Sequence, residues 1–358
     1  IYAANADENT LRAIGPLLFP PDWALYFFSL TTHLLVATQH PAAHWSTALP
    51  TALVLEETEQ PSWQRQGNQW TWQQNIPVQA LRNLREVLPC LSLRTEAYWG
   101  YQCMLEYEAV NGTRGRCTLA PMGNVVNEYS GEDGVQGVRA DVDIWRIEAP
   151  LKMAVLHWHV QYAGPIADLP ALLSVSLRAD GPPPAPKLTQ GHLVHDVPAR
   201  SQMQLRSDIA NRVCSPTSVS MLLDYYGKSV DIYDVIDEAQ HRPSRLYGVW
   251  PANIRAASRR GLIGYLLHVP SWEMARELLD RGYPLIASVR YDEGELHDGA
   301  VRKTSGHLLI VRGYEDDRVL VNDPAADCDG QVARTYDLSE FCTVWLERSA
   351  VGYVLFTP

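Results

Sequence analysis

The sequence of 358 residues has no long apolar run and no low-complexity tract, and it is short of positive charge. Its apolar runs fall well below the ~20 residues that a helix needs to span a bilayer, so no transmembrane segment is expected. Its 30 Lys and Arg are outnumbered by 41 Asp and Glu, and the net charge of -11 argues against a nucleic-acid partner held by phosphate contacts. What remains is an ordinary globular composition, for which the length predicts about two domains.

Cysteine is also scarce, and its use bears on where the protein works. The sequence starts with Ile1 rather than Met, which suggests either a removed signal or a start inside a longer chain. A removed signal would mean export to the extracellular space or cell envelope. Export would permit disulfides among the six cysteines. Cys328 and Cys342 close a short loop and are a candidate pair, but Cys342 in "LSEFCTVWL" equally fits the core side of a helix. The sequence leaves this pairing open.

A proline-rich segment divides the chain into two halves. In "RADGPPPAPKLTQG" four prolines fall within five positions, which favours a stiff, extended linker. The predicted organisation is therefore an N-terminal domain over residues 1–180, a linker over 181–191 and a C-terminal domain over 192–358.

The N-terminal half has the pattern of an all-β domain. Short runs rich in β-branched and aromatic residues, such as "TALVLEE" and "KMAVLHWHVQYA", are divided by turns and predict a sandwich of the jelly-roll kind. Eight of the eleven tryptophans lie here, and they favour a sandwich core over an exposed surface for sugar or a protein partner. His157 and His159 share one face of a strand, but a metal would need a third ligand. No metal or cofactor is expected.

The C-terminal half mixes helices and strands. Helical patterns over residues 214–226, 231–240, 251–260 and 271–281 are followed by apolar strands, which predicts an α+β domain with segregated layers. Ser271 is a good N-cap for the last of these helices.

The first of these helices raises a chemical question, because "NRVCSPTSVSMLLDYYG" places a thiol at its start. Pro216 suits a first helical turn and Gly227 suits a C′ position. Cys214 therefore lies at the helix N-terminus, where the dipole favours a thiolate and lowers the pKa. A buried structural cysteine is the alternative, since free Cys is often buried.

A base and its orienting partner follow in "SGHLLIVRGYEDDRVLVNDPA". His307 opens one apolar strand and Asp323 closes the next. Pairing of the strands about Asp316 puts both residues on one face as a diagonal pair roughly 7 Å apart. This register requires an odd number of residues in the connection, or a bulge that corrects an even one. Separately, His307 could be an ordinary strand residue and Asp323 a turn initiator; with Cys214 they suggest a Cys-His-Asp triad.

These segments resemble the bacteriocin-leader-peptidase-like cysteine peptidases, the "like" branch of the thirty-ninth cysteine-peptidase family. The similarity lies in "CSPTSVSMLLDYYG", "GHLLIVRGY" and "VNDPA", supported by "YGVWPANIRAA" and "GYPLIASVRYDEGEL". It implies a papain-like fold for residues 192–358, with Cys214 as nucleophile, His307 as base and Asp323 as orienting acid.

The resemblance also implies an oxyanion donor, usually Gln, about six residues before the cysteine. That position is Asp208, whose carboxylate would repel an oxyanion, so Gln202 is the second candidate if residues 203–213 form a loop. The usual Gly after the cysteine is Ser215. The Cys214 backbone N–H could supply the other donor.

The sequence therefore predicts a cysteine peptidase or amidase that acts on a peptide or protein through a thioester intermediate. Two alternatives remain open. One is an acyltransferase that uses the same triad, and the other is an inactive peptidase-like scaffold that binds a partner through its N-terminal β domain.

Overall fold

The computed structural model describes residues 32–123, 125, 137–187 and 190–358. Residues 32–358 form one compact unit. Ile1, on which the export prediction rests, lies outside the described residues, as do residues 188 and 189 of the predicted linker. No helix in the described part of the chain is long and apolar enough to cross a membrane.

The N-terminal half contains eleven strands among its described residues. Their bounds are β1 Thr32–Gln39, β2 Val54–Glu59, β3 Gln64–Gln66, β4 Gln69–Asn75, β5 Leu84–Leu93, β6 Trp99–Ala109, β7 Arg114–Thr118, β8 Val138–Ala140, β9 Trp145–Ile147, β10 Leu151–Tyr162 and β11 Ala171–Ala179. They form a six-stranded sheet in the order β2-β1-β11-β5-β9-β8 and a five-stranded sheet in the order β3-β4-β10-β6-β7. The pairs are antiparallel except for β1 and β2, which are parallel.

The two sheets share one hydrophobic cluster. Val175 and Leu91 of the first sheet belong to the same buried cluster as Trp158 and Leu156 of the second. Trp99 is also fully buried in this cluster, as the tryptophan-rich pattern predicted for a sheet core.

The C-terminal half is built on a seven-stranded antiparallel sheet. Its strands are β12 His192–Val194, β13 Ile263–His268, β14 Leu285–Tyr291, β15 Thr304–Glu315, β16 Arg318–Asn322, β17 Ala333–Asp337 and β18 Val351–Phe356. The order is β13-β18-β14-β15-β16-β17, and β12 pairs with β15. Six α-helices fall in the described residues, one of them before this half: α1 Trp45–Ala48, α2 Cys214–Tyr225, α3 Ile232–Ala239, α4 Trp250–Arg259, α5 Trp272–Asp280 and α6 Leu338–Trp345.

The helices follow the predicted patterns closely. Ser271 is the N-cap of α5, and its hydroxyl accepts a hydrogen bond from the Met274 N–H at 3.3 Å. Gly227 follows α2 with a φ of 68°, a left-handed conformation that glycine adopts without strain.

Strand β5 is buried on both faces and joins the two halves. Val87 and Leu91 belong to the cluster between the two N-terminal sheets, whereas Leu88 and Cys90 belong to a cluster with α2 and β14 of the C-terminal half. Successive side chains of a strand point to opposite faces, so each half receives one face of β5. Its apolar run "VLPCLSL" is typical of a strand covered on both sides.

Polar contacts cross the same boundary. The Gly264 N–H donates to the Ser92 hydroxyl at 3.1 Å, and the Ser176 hydroxyl contacts His268 Nδ1 at 3.0 Å. The two halves therefore share a core and a set of buried hydrogen bonds, although the sequence predicted two domains joined by a linker.

All six cysteines lie in the described part of the chain and are free thiols. Cys342 is buried on α6, in agreement with the helix-core alternative. The disulfide considered between Cys328 and Cys342 is not formed.

Candidate active site

Cys214 is the first residue of α2. Its N-cap is Val213, which offers no side-chain hydrogen bond, so the free N–H groups of the first turn are not satisfied by a cap. Cys214 is partly exposed, whereas the rest of the first turn is buried. The position combines access with the positive end of a helix dipole.

His307 lies on β15 beside this thiol, with 4% of its surface exposed. Its Nε2 is 2.7 Å from Asp323 Oδ1, which leaves Nδ1 for the hydrogen bond with Cys214. Burial disfavours the charged imidazole. The charge and hydrogen bond of Asp323, together with Cys214, outweigh it and raise the pKa of His307 to about 10.

The contact with His307 also changes the pKa of the Cys214 thiol, in the opposite direction. Burial opposes ionisation of Cys214, but the hydrogen bond and charge of His307 and the N–H groups of Leu308 and Ser215 lower its pKa below the ordinary value. The pair therefore favours thiolate and imidazolium over the two neutral groups.

Asp323 is fully buried at the end of β16 and makes three hydrogen bonds. Besides His307, it accepts from the Tyr336 hydroxyl at 2.7 Å and from the Ala325 N–H at 2.9 Å. Burial alone would raise its pKa, but the His307 charge and these donors hold the pKa below the usual range. The carboxylate is ionised and fixed in position.

The register that brings His307 and Asp323 together depends on a bulge. The connection between β15 and β16 contains two residues, Asp316 and Asp317, so Glu315 pairs with Arg318 and the register starts on the wrong parity. It shifts by one residue between Val311 and Gly313. Beyond that bulge the pairing equals the predicted one. The bulge alternative, rather than an odd turn, is the one that the structure adopts.

The two oxyanion candidates lie in different environments. Gln202 is buried, and its amide Nε2 donates to the carbonyl of Ala210 at 2.8 Å, four residues before Cys214. Asp208 is exposed, and its carboxylate accepts from Arg206 Nε and Nη2 at 3.3 and 3.1 Å. Solvent and the guanidinium stabilise that carboxylate at the surface, whereas the Gln202 amide is buried against the segment that precedes the thiol.

Ser215, which replaces the usual glycine, is accommodated by a partner that the sequence did not reveal. Its buried hydroxyl is 2.9 Å from the Tyr353 hydroxyl of β18. The extra polar atom is thus satisfied beneath the helix N-terminus.

Cys214 opens into a cavity of about 980 Å³. One wall comes from the C-terminal half and includes Leu308, Gly248 and Ser288, and the other comes from the N-terminal half and includes Val142 and Asp143. The Asp143 carboxylate accepts from the Trp250 N–H at the start of α4 at 3.0 Å. Burial raises the pKa of Asp143 to about 6 although this hydrogen bond opposes the rise.

Sequence reasoning missed the residues that reach the site from distant positions. Tyr336 follows Asp323 by thirteen residues on another strand, and no local pattern marks it. Asp143 lies in the other half. The unbroken apolar run of β5 was the available signal that the two halves pack against each other.

The sheet-rich C-terminal half, with its few helices, is similar to a known family of peptidases. Residues 194–353 match the model of the Peptidase_C39 like family, so the predicted resemblance of the C-terminal half is confirmed. The comparison with curated proteins gave no match.

Two solved structures are similar to this half of the chain. A C39-like peptidase from Bacillus anthracis is 16% identical and covers 47% of this chain and 99% of its own, with a TM-score of 0.38. A double glycine motif protease from an AMS/PCAT transporter, solved with the leader peptide, is 17% identical and covers 47% and 100%, with a TM-score of 0.31.

Proposed function

We propose that the protein is a cysteine peptidase or amidase in which Cys214 is the nucleophile, His307 the general acid and base, and Asp323 the orienting residue. The observation that carries this proposal is the continuous hydrogen-bonded chain from the thiol through the imidazole to a buried carboxylate, with the thiol open to a large cleft. Nucleophile, base and orienter in this order are the parts that acyl transfer needs.

The reaction follows from this geometry. The Cys214 thiolate attacks the carbonyl carbon of an amide, and the electron pair of the C=O bond moves to oxygen. The His307 imidazolium then donates its proton to the leaving nitrogen as the C–N bond breaks, which leaves a thioester. His307 next takes a proton from water, whose oxygen attacks the thioester, and the released thiolate completes the cycle.

The oxyanion would be held by the Cys214 backbone N–H and by the amide of Gln202. The first turn of a helix has free N–H groups, and the Gln202 amide has a second N–H beyond the one that bonds Ala210. The Oε1 atom of Gln202 is buried without a partner among the described residues, which is consistent with a side chain held for function rather than for packing.

The finer architecture belongs to the same proposal. Residues 192–358 would form a papain-like α+β domain, and the N-terminal β half a sandwich that acts as an accessory domain, divided by the segment 181–191. The substrate would be a peptide or protein outside the cell or in its envelope. The open cleft at Cys214 favours an enzyme over an inactive scaffold.

Alkylation of Cys214 with iodoacetamide tests the activated thiol. We expect the rate to rise with pH at a midpoint below the ~8.5 of a free thiol, because His307 stabilises the thiolate. Peptide mapping by mass spectrometry gives the rate at each cysteine. Cys328, which is free and partly exposed, is the reference in the same molecule.

The His307→Ala variant should move the midpoint at Cys214 up to or above that of a free thiol and leave Cys328 unchanged. A matched test of hydrolysis uses peptides from a digested proteome, in which new termini should form with the native protein and not with Cys214→Ala. A midpoint at Cys214 equal to that of Cys328 would remove the basis of the proposal.

A further inference from the structure

The cleft at Cys214 has a charge opposite to that of the chain as a whole. The full sequence carries a net charge of -11, yet the residues that line the cavity include more arginines than carboxylates. The charged lining residues are Arg139, Arg146, Arg212, Arg290, Arg348, Glu86, Asp141 and Asp143.

The charges on the N-terminal wall neutralise one another. Arg146 forms ion pairs with Glu86 and with Asp141, the latter at 3.1 Å, and Arg139 pairs with Asp141 and with Glu148. These guanidinium groups are therefore engaged by carboxylates of their own wall.

The C-terminal wall carries cations that are not neutralised. Arg212 and Arg290 have no carboxylate partner among the described residues. The Arg212 guanidinium is 5.4 Å from the centre of the Tyr247 ring and donates to the Arg245 carbonyl at 3.0 Å, so it is held in place without losing its charge.

Arg212 and Arg290 line the same cavity as Cys214. Arg212 lies two residues before Cys214, whereas Arg290 follows Val289, the residue paired with His307 across β14 and β15. The positive charge of Arg290 also reaches the other wall. Burial is the main cause that lowers the pKa of Arg146, and the charges of Arg178 and Arg290 add to it.

We propose that the cleft recognises a carboxylate of its peptide substrate, next to the bond that is cleaved, through Arg212 and Arg290. This inference rests on the proposed function. Planar guanidinium groups suit bidentate contacts with carboxylates, and two unneutralised cations in a cleft raise the local concentration of an anionic ligand. The carboxylate belongs either to an acidic side chain or to the C-terminus of the peptide.

The charge of the cleft can be measured without a known substrate. Iodoacetate and iodoacetamide deliver the same reactive carbon to a thiol, but only iodoacetate carries a carboxylate. The measured quantity is the rate constant of iodoacetate divided by that of iodoacetamide at Cys214. We expect this ratio to fall about three- to tenfold in the Arg212→Gln/Arg290→Gln variant at low ionic strength. The difference should shrink in ~1 M salt, where charges are screened beyond about 3 Å.

Two matched variants separate charge from other effects. Arg212→Lys/Arg290→Lys keeps both charges and should retain most of the native ratio. Arg114→Gln removes one exposed arginine that pairs with Glu108 and does not line the cavity, and it should leave the ratio unchanged. Thermal unfolding of each variant shows whether its fold is intact.

The outcomes distinguish this inference from the proposed function. Slow reaction of Cys214 with both reagents would overturn the proposed function. Fast reaction with iodoacetamide, with a ratio that the double Gln variant does not change, would overturn the carboxylate site and leave the peptidase proposal in place.

Peptides found to be cleaved then separate the two sources of the carboxylate. An acidic side chain is identified if its Asp→Asn or Glu→Gln counterpart has a higher KM, and a terminal carboxylate if amidation of the C-terminus does. Cleavage that is indifferent to both changes would contradict the proposal.

Discussion

The two halves of the molecule contribute to the cleft in different ways. In the described part of the chain, the hydrogen bonds that act on the Cys214 thiol come from His307, Leu308 and Ser215, all in the C-terminal half. The N-terminal half adds a wall of mutually paired charges and a buried strand face. Cys214, His307 and Asp323 are thus local to one half, whereas the cleft at Cys214 is lined by both.

The N-terminal half also supports α2, the helix that begins at Cys214. Leu88 and Ile144 lie in the same buried cluster as Val219 and Leu222 of α2. A domain that only docked partners would not contribute side chains to this core. The comparison therefore predicts that the C-terminal half depends on the N-terminal one for stability.

Removal of the N-terminal half should give the largest effect. A fragment of residues 192–358 would expose the faces that cover Leu88, Cys90 and Ile144, so we expect it to lose cooperative unfolding and to bind a hydrophobic dye. Urea denaturation followed by tryptophan fluorescence measures this. A fragment that unfolds cooperatively with native stability would show instead that the halves are independent domains.

A point substitution tests the same contact in the full chain. Leu88→Ala leaves a cavity at the boundary and should destabilise the whole protein by about 2–5 kcal/mol in a single transition. Val110→Ala is the matched control, because Val110 is 67% exposed and should change stability little.

Substitution of Asp143 tests the cavity wall that comes from the N-terminal half, and we expect a change in stability of intermediate size. Burial raises the pKa of Asp143 from 3.8 to about 6. Well below pH 4 the Asp143 carboxyl is protonated in both the folded and the unfolded protein. As the pH rises it ionises first in the unfolded protein, so the folded state loses stability progressively until about pH 6 and the loss is constant above that. Asp143→Asn removes this penalty, so its stability relative to the native protein should grow over that range and reach up to ~3 kcal/mol at pH 7.

Asp143→Ala is the control for the loss of the hydrogen bond. Asn still accepts from the Trp250 N–H, whereas Ala leaves the start of α4 without this acceptor, at a cost of about 1 kcal/mol. Thermal or urea unfolding between pH 4 and 7 measures all three proteins. A stability difference between Asn and Asp that is flat with pH would mean that the carboxyl is not perturbed.

Tyr336 tests the C-terminal half alone, and we expect the smallest effect. Tyr336→Phe removes one donor from the buried Asp323 carboxylate and should cost about 1.5 kcal/mol. The lowered pKa of Asp323 stabilises the fold at pH values above the pKa of the unfolded carboxyl, and this stabilisation is lost as the pH falls through the folded pKa. Because the Tyr336 hydrogen bond helps to lower that pKa, Asp323 should protonate at higher pH in this variant. The acid limb of the pH profile of Cys214 alkylation should then move to higher pH.

Tyr291→Phe is a close control, since it also removes a hydroxyl near Asp323. That hydroxyl donates to the Val301 carbonyl at 3.1 Å rather than to the carboxylate. If both variants shift the acid limb equally, the hydrogen bond from Tyr336 has no special role.

Much of the site was predictable because its signals are local. The start of a helix is determined by neighbouring residues, so the place of Cys214 could be predicted from Pro216, Gly227 and the apolar spacing between them. The strand register predicted that His307 and Asp323 lie on one face of the sheet. The sequence could not say whether the turn or a bulge would produce that register. The choice between Gln202 and Asp208 was open, because it depends on how residues 203–213 fold back.

The sequence by itself determined the order of helices and strands and the places of Cys214, His307 and Asp323 in them. Each rests on periodicity or spacing within one or two elements. Only the tertiary structure decided that Tyr336 holds Asp323, that β5 gives one face to each half, and that Arg212 and Arg290, without a carboxylate partner among the described residues, share a cleft. These contacts join residues far apart in the chain, and side-chain burial and charge pairing there are fixed by packing rather than by any local pattern.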